Sequence, residues 1–233
     1  MKNDITLFIK TTALIKSIQE NGEERLGTCF FIHYNNHVIL ATNKHLINYS
    51  NNISIFIEIL DKETKISSEM ILKLSSKNII YNEIYDLCIL EITNQIIEDD
   101  KFKIIFDSID INDIAEDLSL FNKIQDVFMI GYPNAIRDIK NSYPIIRKGI
   151  SSTLIGVDWD GNKEFLVDIY GVSGGSGSPV ISECDNNYYL VGISYESFNY
   201  YKNTDIGKIC IPTGISKVIN STVLLDMVFQ HFS

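Results

Sequence analysis

The stretch Gly174-Gly175-Ser176-Gly177-Ser178-Pro179 sets a serine hydroxyl among glycines and runs straight into the apolar pair Val180-Ile181. Glycines on both sides let the backbone turn tightly and leave neighbouring N–H groups facing one space. Such a nest can hold an oxyanion while the serine attacks a carbonyl. The same composition also serves as a flexible linker, so these six residues alone leave the two readings even. A serine nucleophile needs a base, and the chain has only four histidines: His33, His37, His45 and His231. His45 closes Leu40-Ala41-Thr42-Asn43-Lys44-His45, just after the apolar run Val38-Ile39-Leu40. A base needs an orienting group. Asp86 opens the run Leu87-Cys88-Ile89-Leu90, where a carboxylate is costly unless paired. Asp61 and Asp107 are weaker substitutes, each in a more polar stretch. His33 and His37 flank the turn Asn35-Asn36 and, without a nearby carboxylate, make a poor metal site. His231 lies near the chain end and is expected to be exposed.

The elements that must position these residues are mostly strands. Ile53 to Ile59 alternates, with Phe56 the exception, and Thr28–Ile32, Val38–Ala41, Leu87–Ile92, Val127–Ile130, Phe165–Ile169 and Leu190–Ser194 are short β-rich runs. Asn35-Asn36, Asp160-Gly161-Asn162 and Asp185-Asn186-Asn187 punctuate them as turns. Many short strands divided by polar turns imply a sandwich or barrel rather than alternating βαβ units. Ile215, Val218, Ile219, Leu225, Val228 and Phe229 approximate helical spacing, with Thr213 or Ser216 able to cap. The acidic clusters Glu98-Asp99-Asp100 and Glu116-Asp117 read as solvated faces in a stretch from Thr93 to Gln125 that is hard to assign.

Composition narrows the function classes. The 233 residues are 45% apolar, enough for a real core, and the formal net charge of −10 argues against electrostatic binding of nucleic acid. Cys29, Cys88, Cys184 and Cys210 lack C-x-x-C spacing, which excludes the usual zinc patterns. Cys88 and Cys210, each between apolar neighbours, read as buried small hydrophobes, and all four are expected as free thiols. No secretory leader pattern and no apolar stretch of membrane-spanning length is present, so a cytoplasmic location is expected. No cofactor or metal is implied.

The order His45, Asp86, Ser176 is that of the chymotrypsin-type triad. Around it the chain resembles trypsin-like serine peptidases of the bacterial, disulfide-free kind, from about Gly27 to Pro212. GTCFFI (from Gly27) resembles the strand before the family's histidine, ATNKHL (from Ala41) its TAAH-type motif, and YDLCIL (from Tyr85) its DLAVL-type motif. IGYPN (from Ile130) and RKGIS (from Arg147) resemble the IGNP turn and following strand of the high-temperature-requirement proteases. GGSGSPVI, then YLVGIS (from Tyr189), resembles the nucleophile loop and next strand of the glutamyl-endopeptidase-like branch. The chain departs from the family at Gly175, where trypsin has the aspartate of its zymogen switch, and at Lys44, which replaces a small residue. A cation there could lower the imidazole pKa slightly.

The resemblance implies an all-β fold of two six-stranded antiparallel barrels with a C-terminal helix. Residues 1–105 form the first barrel, 106–120 the connection, 121–212 the second barrel and 213–233 the helix. It implies His45 as base, Asp86 as its orienter and Ser176 as nucleophile, with Gly174, Gly175 and Ser176 around the oxyanion. Counting six residues back from the nucleophile puts Tyr170 at the floor of the specificity pocket, with Tyr195, Glu196 and Lys208 to Cys210 on its walls. That pocket is expected to favour small or medium uncharged side chains. The implied partner is a protein or peptide substrate, with no nucleic acid or membrane and with an unspecified regulatory protein open. Two other functions share these residues: a latent binding module whose oxyanion loop needs a partner, and an esterase. The G-x-S-x-G parse of Gly171 to Gly175 is rejected, because an α/β-hydrolase needs a downstream histidine and crossover helices.

Overall fold

Asparagine and aspartate turns do the dividing that the sequence suggests. Asn35 takes φ 53° between the second and third strands, and Asp185 and Asn186 take φ 51° and 61°, the two left-handed residues of a tight hairpin. The computed structural model describes residues 4–96, 100–204 and 207–233, so of Glu98-Asp99-Asp100 only Asp100 is covered.

The N-terminal half contains β1 (Thr12–Gln19), β2 (Glu24–Tyr34), β3 (His37–Thr42), the one-turn helix α1 (Lys44–Ile47), β4 (Ser50–Asp61), β5 (Ser67–Leu74), β6 (Ile80–Tyr81), β7 (Cys88–Glu91), β8 (Phe102–Ile105) and β9 (Ile109–Asp110). They make one nine-stranded sheet in the order β5-β4-β1-β2-β3-β7-β6, with β8 on β4 and β9 parallel to β2. The expected first barrel is therefore an open sheet among the described residues. The strand path ends at β5 and at the two-residue β6, with no pairing between them among the described residues. The C-terminal half contains β10 (Asp126–Gly131), β11 (Ile145–Ser151), β12 (Glu164–Asp168), β13 (Pro179–Cys184), β14 (Asn187–Thr204), β15 (Gly207–Asn220) and the helix α2 (Ser221–Phe232). Its six strands close as β10-β11-β12-β15-β14-β13. No helix among the described residues is long and apolar enough to cross a membrane.

Three buried layers organise these elements. Cys29, Phe31, Leu40, Ile55 and Leu90 cluster on one face of the sheet, and Val127, Met129, Phe165, Val180, Val191 and Val218 fill the barrel. Their strand neighbours Phe30, Ile32, Ile39, Ala41 and Ile89 meet Ile130, Ile181, Leu190 and Ile193 in a third layer between the halves, closed by Val223, Leu224 and Val228 of α2. Strands buried on both faces read as continuous apolar runs, which is why Cys29 to Ile32 shows no alternation.

The same effect explains a misplaced boundary. Residues 213–220 are not helix but the end of β15, where Ile215, Val218 and Ile219 pair with Asp168, Phe165 and Glu164 of β12. Both Val218 and Ile219 are buried, so their pattern fits either period. Asn220, not Thr213 or Ser216, precedes the helix. Cys29, Cys88, Cys184 and Cys210 are free thiols, but Cys210 is exposed, on a part of β15 that lies outside the barrel.

The layer between the halves should dominate stability. Replacing the fully buried Phe30 by alanine should cost about 3–5 kcal/mol in urea titration. A loss below about 1 kcal/mol would mean that this layer does not hold the halves together.

Candidate active site

His45 sits on α1, one turn long and placed immediately after β3. Its carbonyl accepts from Arg25 on β2, and Lys44 Nζ reaches the Asn82 carbonyl at 3.0 Å. Asp86 lies opposite, in a turn built by Asn82, whose side-chain oxygen accepts from the N–H groups of Ile84 (3.0 Å) and Tyr85 (2.8 Å). The two segments are bolted together. Asn43 Nδ2 donates to the Asp86 carbonyl at 2.8 Å, and the His45 N–H donates to Asp86 Oδ1 at 2.8 Å. His45 Nδ1 then hydrogen-bonds Asp86 Oδ2. With Nδ1 carrying the proton, Nε2 is the basic nitrogen. Burial works against the charge of Asp86, but the hydrogen bonds and charge of His45, helped by Lys44, prevail and hold its carboxyl below the ordinary range. Lys44 thus acts on Asp86 and the turn around it.

Ser176 comes from the barrel half, on the loop before β13. Its carbonyl accepts from the Thr28 N–H at 2.8 Å, while Thr28 Oγ1 donates to the Gly174 carbonyl at 2.8 Å. The loop is therefore seated on β2. Gly177 has φ 83°, and a Cβ there would stand 2.0 Å from the Thr28 carbonyl and 2.7 Å from Thr42 Oγ1, three residues before His45. Gly174 has φ 84°, and a Cβ there would meet the Tyr132 carbonyl at 2.2 Å. Only glycine fits at either place. Ser176 Oγ is 3.4 Å from the Tyr195 carbonyl and makes no hydrogen bond to His45.

Among the described residues, nothing accepts from the N–H groups of Gly174 and Ser176. The Gly175 N–H, expected at the same place, is committed to the Val172 carbonyl at 2.9 Å. It is thereby removed from the set of free donors.

A cleft of about 340 Å³ opens beside Ser176. Of the four residues assigned to the pocket, Tyr195 and Glu196 line this cleft and Tyr170 and Lys208 do not. The Tyr195 hydroxyl donates to Glu164 at 2.8 Å, and Glu196 pairs with Lys217 at 2.9 Å. Tyr170 faces solvent, and Lys208 lies on the outer hairpin with its ammonium 4.3 Å from the Tyr201 ring centroid. The place expected for Tyr170 holds Arg147 instead, which donates through Nη1 to the Tyr170 carbonyl. Sequence reasoning missed this residue. No local pattern marks it: along β11 Ile146, Lys148 and Ile150 are exposed while Arg147 and Gly149 share the side of the buried Ser151, the reverse of what the residue types suggest.

The remaining histidines lie elsewhere. His37 Nδ1 is 2.7 Å from Glu91 Oε1 with its ring near Phe232, His33 is exposed, and His231 bonds the Met227 carbonyl within α2. Among the described residues no cluster of three metal-type side chains occurs. Burial pushes the thiols of Cys29 and Cys88 far up, which leaves them inert.

A sequence profile described as a trypsin-like peptidase domain matches residues 27–193. No curated protein sequence matches the chain. Among solved structures, the chain is similar to the HtrA-type protease AlgW with tripeptide (TM-score 0.61, 18% identity). It is also similar to the serine endoprotease from Yersinia pestis (TM-score 0.57, 18% identity). Each match covers 97% of this chain but only 61% and 64%, respectively, of the other, so the chain spans less than two thirds of their length.

Two measurements check this geometry. Thr28→Val keeps shape but orphans the Gly174 carbonyl and the Tyr132 N–H, which Thr28 Oγ1 accepts at 3.1 Å. It should cost about 1–3 kcal/mol, with Thr28→Ser restoring most of it; equal stability of the valine and serine variants would count against the bridge. The second is the pH dependence of the His45–Asp86 pair. A carboxyl held below its ordinary 3.8 adds stability that is complete above that value and is lost as pH falls through the lower folded value. The stability gap between wild type and Asp86→Asn should be flat above about pH 5 and shrink below about pH 4. A gap unchanged down to about pH 2 would contradict the pairing.

Proposed function

Because the chain belongs to the family of trypsin-like peptidase domains, we propose that it is a serine endopeptidase acting through Ser176, His45 and Asp86. The observation that carries this reading is one arrangement. An imidazole fixed by Asp86 at Nδ1 accompanies a serine whose flanking N–H groups, on Gly174 and Ser176, are uncommitted.

The Ser176 hydroxyl, 3.4 Å from the Tyr195 carbonyl at rest, must turn to His45 Nε2 for the reaction to start. His45 removes the hydroxyl proton as Oγ bonds to the carbonyl carbon of a peptide. The carbonyl electron pair moves onto oxygen, where the N–H groups of Gly174 and Ser176 receive it. His45 passes its proton to the departing amine and the C–N bond breaks, leaving an ester on Ser176. Water, deprotonated by the same nitrogen, attacks that ester, and the returning proton regenerates the serine. Asp86 stays ionised throughout and stabilises the imidazolium. The substrate is a protein or peptide chain; an esterase would use the same steps with a different leaving group. The bond from Ser176 to Tyr195 also supports a resting state that substrate must reorganise, which is the form the latent-module alternative would take.

Ser176→Ala, His45→Ala and Asp86→Asn should each lower peptide turnover by at least about 10³-fold, with non-additive effects in combination. Fluorophosphonate should label Ser176 in wild type and not in His45→Ala. Wild-type turnover by His45→Ala would rule the mechanism out, and turnover of esters without any peptide cleavage would shift the reading to the esterase.

A further inference from the structure

Arg147 is a cation without a counter-ion. No carboxylate among the described residues lies within 4 Å of it, although Lys16, Arg137, Lys148, Lys163 and Lys217 all have acidic partners. Its guanidinium is held in place. Nη1 donates to the Tyr170 carbonyl, Nη2 lies 3.0 Å from Met129 Sδ, and β11 sets Arg147 directly opposite Met129 of β10. Nε is shielded from solvent and has no partner. Burial, with nothing opposing it, pulls the guanidinium below its ordinary range, yet arginine remains protonated in proteins. An unpaired, partly buried charge carries a desolvation cost that an arriving anion would offset.

Its position says which anion. A Cβ built on Gly175 would lie 3.3 Å from Arg147 Nη2, so the guanidinium abuts the residue just before Ser176. The same cleft is lined by Arg147, Ser176 and Ser194–Ser197. A side chain entering this cleft from a carbonyl held at Ser176 therefore meets the free N–H bonds of Nη1 and Nη2. Two such bonds match the two oxygens of a carboxylate. The opposing charge in the cleft, Glu196, is already neutralised by Lys217 and stands half-exposed.

On the peptidase reading above, we propose that Arg147 is a specificity-determining residue that selects glutamate or aspartate immediately before the scissile bond. This replaces the uncharged preference expected from Tyr170 at the pocket floor.

The test uses short peptidyl-aminocoumarin substrates, in which the leaving group fixes the residue before the cut as Glu, Asp, Gln or Arg. Wild type should favour Glu or Asp over Gln by about 10- to 100-fold in kcat/KM. Arg147→Gln should bring that ratio close to one, and Arg147→Lys, which keeps charge but loses the fork, should fall between. Thermal melting shows that both variants are folded. The same compounds are titrated calorimetrically into Ser176→Ala and Ser176→Ala/Arg147→Gln, which reads the anion site without turnover. Tighter binding of the acidic compound that disappears in the double variant supports Arg147, even if wild type cleaves nothing, an outcome that would sink only the peptidase reading. A wild-type ratio near one, a preference for Arg, or an acidic preference that survives Arg147→Gln would overturn the proposal.

Discussion

Thr28 holds the two halves of the site in register. Its N–H binds the Ser176 carbonyl, its hydroxyl bridges the Gly174 carbonyl and the Tyr132 N–H, and its carbonyl accepts from Thr42 at 2.7 Å. Every polar group of one buried residue is thus used to seat a loop of the barrel on a strand of the sheet. Other links run parallel to it: the paired bonds of Arg137 to Glu69, the Tyr132 hydroxyl 3.0 Å from the Thr12 carbonyl, and the Lys163 N–H to the Tyr85 hydroxyl. Because His45 and Asp86 belong to the sheet and Ser176 to the barrel, their placement relative to one another is the geometry of this seam. The glycines at 174 and 177 follow from the same constraint, since the loop must lie flat against Tyr132 and Thr28.

What could be read in the sequence was whatever depends on local pattern. The glycine-flanked serine, the histidine after an apolar strand and the aspartate before one are each marked by their neighbours in the sequence, and most strand runs lie where alternation or β-branching puts them. What could not be read depends on distant partners. Whether a nine-stranded sheet closes depends on pairing between its edge strands β5 and β6, which are remote from each other in the strand order. The end of β15 resembles a helix because both of its faces are covered by parts of the chain far away in sequence. Tyr170 was placed by counting along the chain, but counting does not say which side chain from a neighbouring strand fills the space. Arg147 reaches there from β11, opposite Met129, through a register that exists only after folding.

The electrostatics of the cleft oppose those of the whole. A formal charge of −10 repels acidic peptides at long range, whereas Arg147 beside Ser176 would attract them at contact. The two effects differ in reach. Surface repulsion is screened within about 8–10 Å at physiological salt, while a shielded guanidinium is screened far less. Added salt would therefore ease the approach of an acidic segment while weakening the final contact little, the reverse of ordinary steering by an oppositely charged surface.

β14 runs without interruption from the barrel wall into open solvent. Over Leu190–Ile193 its side chains are buried, with β13 on one side and, from Gly192 onward, β15 on the other. Beyond that point β15 is its sole neighbour, and Tyr200, Tyr201, Ile209 and Ile211 stand exposed along the two-stranded ribbon. A lone hairpin is marginal in water, so one continuous strand joins a segment that opens only with the whole domain to one that frays on its own. The cleft wall at Ser194–Ser197 falls at the junction, where a rigid support gives way to a yielding one within a few residues. The wall that a substrate would lean on is thus anchored at one end and compliant at the other.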